Sequence, residues 1–166
     1  MNNHSVTKTK IDILAVILDV GLTVDNSAVF QSQVIDQLIA LKSMGYKVGI
    51  LCVYSNEAKF LDGVGKQLKD NEIELFSDKD RGFFRNFIAM SVKLNKLKKD
   101  KVISNSYVRG IWGALLLILN NPASPISYVY DVRGDLLDEG KAKDVNFFKI
   151  SFYLLLEKIV IGYANH

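Results

Sequence analysis

The densest group of residues that could do chemistry lies in one short segment, 130–139, whose sequence is YDVRGDLLDE. One arginine, Arg133, stands among four carboxylates there. The segment directly follows the apolar run 126–130, a pattern typical of a buried strand that ends in a loop. Ligands of open α/β sheets bind at the carboxyl ends of the strands. The segment therefore predicts a polar site in which Arg133 either binds a phosphate or pairs with a carboxylate of Asp131, Asp138 or Glu139.

A second polar group, formed by Ser106, Tyr107 and Arg109, is predicted to begin the helix 107–119. Cations are disfavoured near a helix N-terminus, so Arg109 is a better functional candidate than Tyr107, which is expected to pack at the helix start. The loop after the first strand contains Gly21 and precedes the first helix. Helix N-termini and arginines bind phosphates, and we expect these groups to lie at one edge of the sheet.

Other reactive residue types have structural explanations. Cys52 lies inside the apolar run 48–54, which predicts a buried and inert thiol. His4 and His166 are close to the two ends of the chain and support neither a metal site nor acid–base catalysis. Trp112 is expected in the core, and no spacing of metal ligands occurs. We therefore predict no bound metal.

The elements that must position these residues alternate between strand and helix. The predicted strands are 11–18, 47–54, 73–76, 101–104 and 126–130, and the predicted helices are 28–44, 55–69, 83–98, 107–119 and 144–164. Such alternation implies right-handed crossovers and a mainly parallel sheet with helices on both faces. The predicted fold is a Rossmann-like three-layer α/β/α sandwich that occupies residues 11–166, preceded by a disordered tail, 1–10.

The helix 83–98 has a predicted buried stripe and a basic end. Its stripe consists of Phe84, Phe87, Ile88 and Leu94. The lysines that cluster at its end are Lys93, Lys96, Lys98, Lys99 and Lys101. A solvated helix end explains this cluster best, because cations are favourable near a helix C-terminus. The alternative is a patch that rests on an anionic membrane surface. Nucleic acid is not expected, because no aromatic residues are interleaved with the lysines.

Composition and hydropathy are those of a globular chain without a membrane span. The 166 residues are 49% hydrophobic and 23% charged, with a net charge of +3. The stretch 147–162 is the most apolar, but Lys149, Glu157 and Lys158 interrupt it, and a span needs roughly 18 apolar residues. One cysteine allows no internal disulfide, which fits a reducing compartment. These features predict a cytoplasmic location.

Three segments resemble the amino-terminal half of family 4 glycosyltransferases, and the resemblance covers residues 11–166. They are MGYKV at 44–48, SYV at 106–108, and YDVRG at 130–134 with the acidic pair Asp138-Glu139. Gln33 and two leucines of the first helix also match. The resemblance implies one half of a GT-B fold, in two-domain enzymes that transfer a sugar from a nucleotide-diphosphate donor. It implies that this half binds a glycan or lipid-linked acceptor during polysaccharide or lipid-linked glycan assembly, at the inner face of the membrane.

The resemblance also implies what this half lacks. The donor-binding C-terminal domain is expected outside the 166 residues, so the chain alone is expected to bind no cofactor and to be inactive. The candidates for the substrate or phosphate side are Gly21, Ser106, Tyr107, Arg109, Asp131, Arg133, Gly134 and Glu139, and no catalytic residue is assigned. Ile103 and Asn105 stand where relatives often carry histidine and arginine, which suggests a divergent member or a different acceptor.

Two other classes of function compete with this hypothesis. The first is a phosphohydrolase of the haloacid dehalogenase type, because Asp19-Val20-Gly21 resembles its D-x-D-G-T signature. That chemistry needs a second aspartate two residues after the first, and Gly21 stands there. The second is a Rossmann-like binding module without catalysis. A dinucleotide site is poorly supported, since no G-x-G-x-x-G follows the first strand.

Overall fold

A computed structural model describes residues 8–18, 23–24, 31–120, 126–131 and 146–164, with the backbone alone described at 31, 32, 147 and 149. The strands are β1 (Thr9–Ile17), β2 (Val48–Tyr54), β3 (Glu74–Lys79), β4 (Lys101–Arg109) and β5 (Tyr128–Asp131). The helices are α1 (Asp36–Ser43, preceded by the π-helical turn Gln31–Ile35), α2 (Glu57–Asp62), α3 (Val64–Asp70), α4 (Phe83–Asp100), α5 (Ile111–Asn120) and α6 (Phe147–Ala164).

The five strands form one parallel sheet in the order β3-β2-β1-β4-β5. The chain moves outward from β1 through β2 to β3 and then returns to place β4 on the other side of β1. The strand order therefore reverses between β1 and β4, and this is the point at which doubly wound sheets bind ligands.

Two apolar clusters lie on opposite faces of the sheet, because successive side chains of a strand point to opposite sides. One contains Ile17 of β1 with Leu38 of α1 and Phe60 of α2. The other contains Val108 of β4 and side chains of α4, α5 and α6. The sheet is thus covered by α1–α3 on one face and by α4–α6 on the other. The predicted three-layer α/β/α sandwich is confirmed.

Local signals in the sequence explain several element ends. Gly45 ends the first helix as predicted: its φ is +90°, and its N–H donates to the carbonyl of Lys42 at 3.0 Å. The side chain of Asn56 caps α2 and accepts the N–H of Lys59 at 3.0 Å. Gly63 separates α2 from α3, so the predicted weak helix is two short ones. Cys52 is buried, as predicted.

The boundary between β4 and the following helix was predicted wrongly. The strand continues to Arg109 because residues 106–109 pair with β1 on one side and β5 on the other. Gly110 then adopts a φ of 89°, which glycine tolerates best, and α5 begins at Ile111. Ser106, Tyr107 and Arg109 therefore belong to a strand, and the argument from a helix N-terminus does not apply to Arg109.

Three smaller predictions also need correction. Strand β1 begins at Thr9, so the last two residues of the predicted tail 1–10 pair with β4. Strand β3 extends to Lys79 through residues expected to form a loop, because it pairs with β2 as far as Tyr54. In α4 the core is contacted by Phe87, Met90, Leu94 and Leu97, which leaves Phe84 and Ile88 exposed.

Candidate functional site

The ends of three strands meet at the reversal point of the sheet. Ile17 of β1, Arg109 of β4 and Asp131 of β5 are successive cross-strand partners. Arg109 therefore lies where a ligand-binding crevice is expected in a doubly wound sheet. Asp131, which belongs to the polar segment 130–139 singled out in the sequence, lies next to Arg109.

The guanidinium of Arg109 is buried: the residue is 2% exposed. Its Nη1 lies 3.5 Å from Oδ2 of Asp131, and its Nη2 donates to Oε1 of Gln33. Within the described part of the chain, Nε and Nη1 have no hydrogen-bond partner. A buried cation is costly unless it is paired, and Asp131 supplies a compensating carboxylate among the described residues.

Tyr107 completes the cluster from two residues earlier on β4. Its hydroxyl donates to the same Oδ2 of Asp131 at 2.7 Å. Burial, the hydrogen bond to Asp131 and the charge of that carboxylate raise the pKa of Tyr107 to about 12. Tyr107 is therefore a neutral hydrogen-bond donor at physiological pH and cannot serve as a general base.

Asp131 is more exposed than Arg109. Its side chain is 33% exposed, whereas that of Arg109 is 2% exposed. Arg109 supplies its countercharge and Tyr107 fixes one of its oxygens. The arrangement is chemically suited to accept a hydrogen bond from a hydroxyl group at the edge of the sheet.

Gln33 is the residue of the cluster that the chemical reasoning missed. It lies in the π-helical turn before α1, and such turns are frequent at functional sites. The matched segments include Gln33, but 76 residues separate it from Arg109 and no spacing links them. Only the fold brings the two together.

Ser106 does not join the cluster. It is buried on the other face of the sheet, beside the core formed with Leu14 and Tyr128, because it alternates with Tyr107 along β4. The remaining candidates, Gly21, Arg133, Gly134 and Glu139, lie outside the described residues, as does Asp19 of the phosphohydrolase hypothesis.

An open cleft of about 550 Å³ extends from Tyr107 along the same side of the sheet. Its lining includes Ile13 of β1, Leu41 of α1, Tyr46 and Val129 of β5. Val129 is 68% exposed, which shows that this face is open above β5. A ligand in the cleft would contact mostly apolar surface and reach Tyr107 at one end.

The lysine cluster of α4 is partly occupied by internal contacts. Lys93 donates to the carbonyl of Ser77 at 2.6 Å, and Lys98 to that of Asn120 at 3.1 Å. Lys101 pairs with Glu74 at 2.6 Å. Lys96 and Lys99 are exposed. Lys98 and Lys99 lie in the last turn of α4, where cations complement the helix dipole.

In the described ranges, no group of three or more His, Cys, Asp or Glu side chains could hold a metal ion. No helix in the same ranges is long and apolar enough to cross a membrane.

Comparison of the chain with protein-family models, with curated proteins and with solved structures found no match. Fold and geometry together define a Rossmann-like α/β protein with an Arg–Asp–Tyr cluster around a buried arginine at its reversal point.

Proposed function

We propose that this chain is the acceptor-side half of a cytoplasmic GT-B glycosyltransferase that uses a nucleotide-diphosphate sugar. One observation carries the proposal. The segments 106–108 and 130–134, which bear the resemblance to family 4 enzymes, contact each other at the reversal point through Tyr107 and Asp131. Arg109, the residue after the first segment, reinforces that contact with its charge.

The chemistry of sugar transfer suits this cluster. The transition state resembles an oxocarbenium ion while a diphosphate leaves, so catalysis requires an oriented acceptor hydroxyl and stabilised phosphates. The exposed part of Asp131 is proposed to accept a hydrogen bond from the acceptor hydroxyl. Tyr107 and Arg109 are positioning residues that hold this carboxylate. Gly21, Arg133, Gly134 and Glu139 remain proposed contacts on the phosphate side.

The acceptor is proposed to lie in the cleft beside Tyr107. Its mostly apolar lining and volume of about 550 Å³ suit a lipid-linked sugar better than a free, highly hydrated glycan. The nucleotide sugar is assigned to a second, donor-binding domain. This division predicts that the 166-residue chain binds an acceptor without turning it over.

A non-catalytic binding module is favoured by a different observation. Tyr107 and Arg109 both contact the same oxygen of Asp131. Such contacts could serve only to hold β4 and β5 together, as a structural lock. The two hypotheses differ in what Asp131 does. A lock affects stability alone, whereas an acceptor contact also affects ligand affinity in the folded protein.

Calorimetric titration of the 166-residue protein separates these possibilities. We expect a short isoprenyl-diphosphate-linked sugar to bind and UDP-glucose not to bind. Asp131→Asn weakens acceptor affinity by about tenfold, because it replaces a hydrogen bond to a charged group with a weaker one to a neutral group. Asp62→Asn, a change at an exposed carboxylate of α2, leaves it unchanged. Binding of UDP-glucose without acceptor affinity would contradict the proposal, as would phosphomonoester hydrolysis that Asp19→Asn abolishes.

A further inference from the structure

Two helices on one face of the sheet expose apolar side chains that are aligned along the helix. The exposed residues of α4 follow one another at intervals of four residues, and those of α6 at intervals of three and then four. Each set therefore lies on one side of its helix. We call these residues the α4–α6 face: Phe84, Ile88, Val92, Phe152, Leu155 and Ile159, with exposures between 41% and 80%. Single exposed apolar residues are ordinary, but aligned ones mark an interaction surface.

Aromatic contacts connect the two sides of the α4–α6 face across α5. The ring centroid of Phe84 lies 5.4 Å from that of Phe83, and the ring centroid of Phe83 lies 4.6 Å from that of Trp112 in α5. Trp112 lies 6.2 Å from Tyr153 of α6, which lies 6.3 Å from Phe152. The exposed residues of α4 and α6 therefore border one continuous aromatic surface. Phe83 and Trp112 are in the first turns of their helices, so this surface reaches the sheet edge that carries Arg109.

The α4 side of the α4–α6 face is positively charged. Before its last residue, α4 contains no acidic side chain. At 100° per residue, its exposed residues Arg85, Lys96 and Lys99 fall on the same side of the helix as Ile88 and Val92. A second copy of the chain would bring the same cations to the interface and would be repelled. Anionic headgroups complement them.

We propose that the α4–α6 face docks on the surface of an anionic lipid bilayer. Its aromatic and aliphatic side chains enter the boundary between headgroups and acyl chains, and Lys96 and Lys99 contact the headgroups. The docking surface differs from the predicted lysine patch, because Lys93, Lys98 and Lys101 are engaged within the protein. The proposal stands independently of sugar transfer, since it concerns a different face of the molecule.

Flotation of the 166-residue protein with vesicles tests the apolar part. We expect the protein to float with phosphatidylglycerol vesicles. With phosphatidylcholine vesicles we expect it to stay unbound at the bottom of the density gradient. Leu155→Ser lowers the partition coefficient about tenfold, the effect of leaving one leucine out of the apolar phase. The matched control is Leu61→Ser, because Leu61 lies on the opposite face of the sheet and is 54% exposed against 57% for Leu155. This control keeps the wild-type partition.

A charge-reversal pair tests the electrostatic part. Each lysine near an anionic surface changes binding about fivefold, so Lys96→Glu with Lys99→Glu weakens it by at least about 25-fold. Lys66→Glu with Lys69→Glu has the same spacing on α3 and is expected to have little effect. Circular dichroism verifies the fold of each variant, and quenching of Trp112, the single tryptophan, by brominated lipid reports its approach to the acyl chains.

Three results would overturn the proposal. The first is no binding to either type of vesicle. The second is an equal loss of binding in the test variants and in their controls on α2 and α3. The third is a dimer that Leu155→Ser dissociates in the absence of vesicle binding, which would assign the α4–α6 face to a second copy of the chain.

Discussion

Nη1 of Arg109 lies 3.5 Å from Oδ2 of Asp131, across the last paired positions of β4 and β5. The arginine is buried and the aspartate is one-third exposed, so the pair joins the core to the edge of the sheet. The register of the parallel sheet creates this pair, because it aligns the ends of the two strands. A charge at this buried position is stable only while its partner is present.

Removing the charge of Asp131 is expected to destabilise the protein. Asp131→Asn leaves the guanidinium of Arg109 without its carboxylate and lowers the free energy of unfolding by about 2 kcal/mol. Urea denaturation measures this change. Glu72→Gln is the control, because the Lys42–Glu72 pair at 3.3 Å has a largely exposed carboxylate and contributes at most about 0.5 kcal/mol. Equal losses in the two variants would contradict a buried, compensated arginine.

Two tyrosines make the stability depend on alkaline pH. The pKa values of Tyr107 and Tyr128 are both about 12, against an ordinary value of 10, chiefly because burial disfavours the phenolate. The folded state then holds more protons than the unfolded state in this interval. The stabilisation is complete below pH 10 and is lost as the pH rises to about 12.

The measurement is urea denaturation at several alkaline pH values. The variant that combines Tyr107→Phe with Tyr128→Phe is expected to lose stability less steeply with pH than the wild type. An unchanged slope in this variant would show that other groups cause the dependence.

The hydroxyl of Tyr128 ties β5 to α6. It donates to the carbonyl of Val160 at 2.6 Å, and both groups are buried. Tyr128→Phe removes this hydrogen bond and lowers the free energy of unfolding by about 0.5–1.5 kcal/mol. Hydrogen exchange is expected to accelerate in α6 first. Tyr46→Phe, a change at an exposed tyrosine, serves as the control, and equal exchange in α6 of both variants would be inconsistent with this anchoring role.

Gly113 allows α5 to pack closely on the sheet. A Cβ there would lie 3.0 Å from Cγ1 of Val108 in β4 and 3.1 Å from the carbonyl oxygen of Val16 in β1, the central strand. Gly113→Ala is expected to cost about 1–3 kcal/mol through overpacking, despite the better helix propensity of alanine. Gly162→Ala, within α6, has open space around its Cβ and is expected to stabilise the protein by about 0.5–1 kcal/mol. Thermal unfolding measures both changes, and stabilisation by Gly113→Ala would refute close packing.

The layer architecture could be predicted because alternating apolar runs and helical periodicities dictate it locally. The end of β4 could not. The sequence from Ser106 to Leu119 is almost continuously apolar apart from Arg109, and periodicity alone does not separate a short buried strand from a buried helix. Pairing with β1 and β5 decides in favour of the strand, and Gly110 was the local signal for the boundary.

The site could be predicted only in part. Asp131 was chosen because it follows a strand end, and Arg109 because it was predicted near a helix N-terminus. Arg133, rather than Arg109, was considered as the cation that pairs with Asp131, Asp138 or Glu139, or with a phosphate. The pairing with Arg109 depends on the register of two strands, which no local pattern encodes. The exposure of Phe84 and Ile88 was missed because an apolar residue in an amphipathic helix was assumed to face the core.

The most direct test of the central proposal is amide chemical-shift mapping of the 166-residue protein with the isoprenyl-diphosphate-linked sugar. If this half binds the acceptor beside the Arg–Asp–Tyr cluster, the amides of Tyr107, Arg109 and Asp131 shift together with that of Tyr46 in the cleft. Shifts confined to α2 and α3, or no shifts at a saturating concentration of the acceptor, would contradict the proposal.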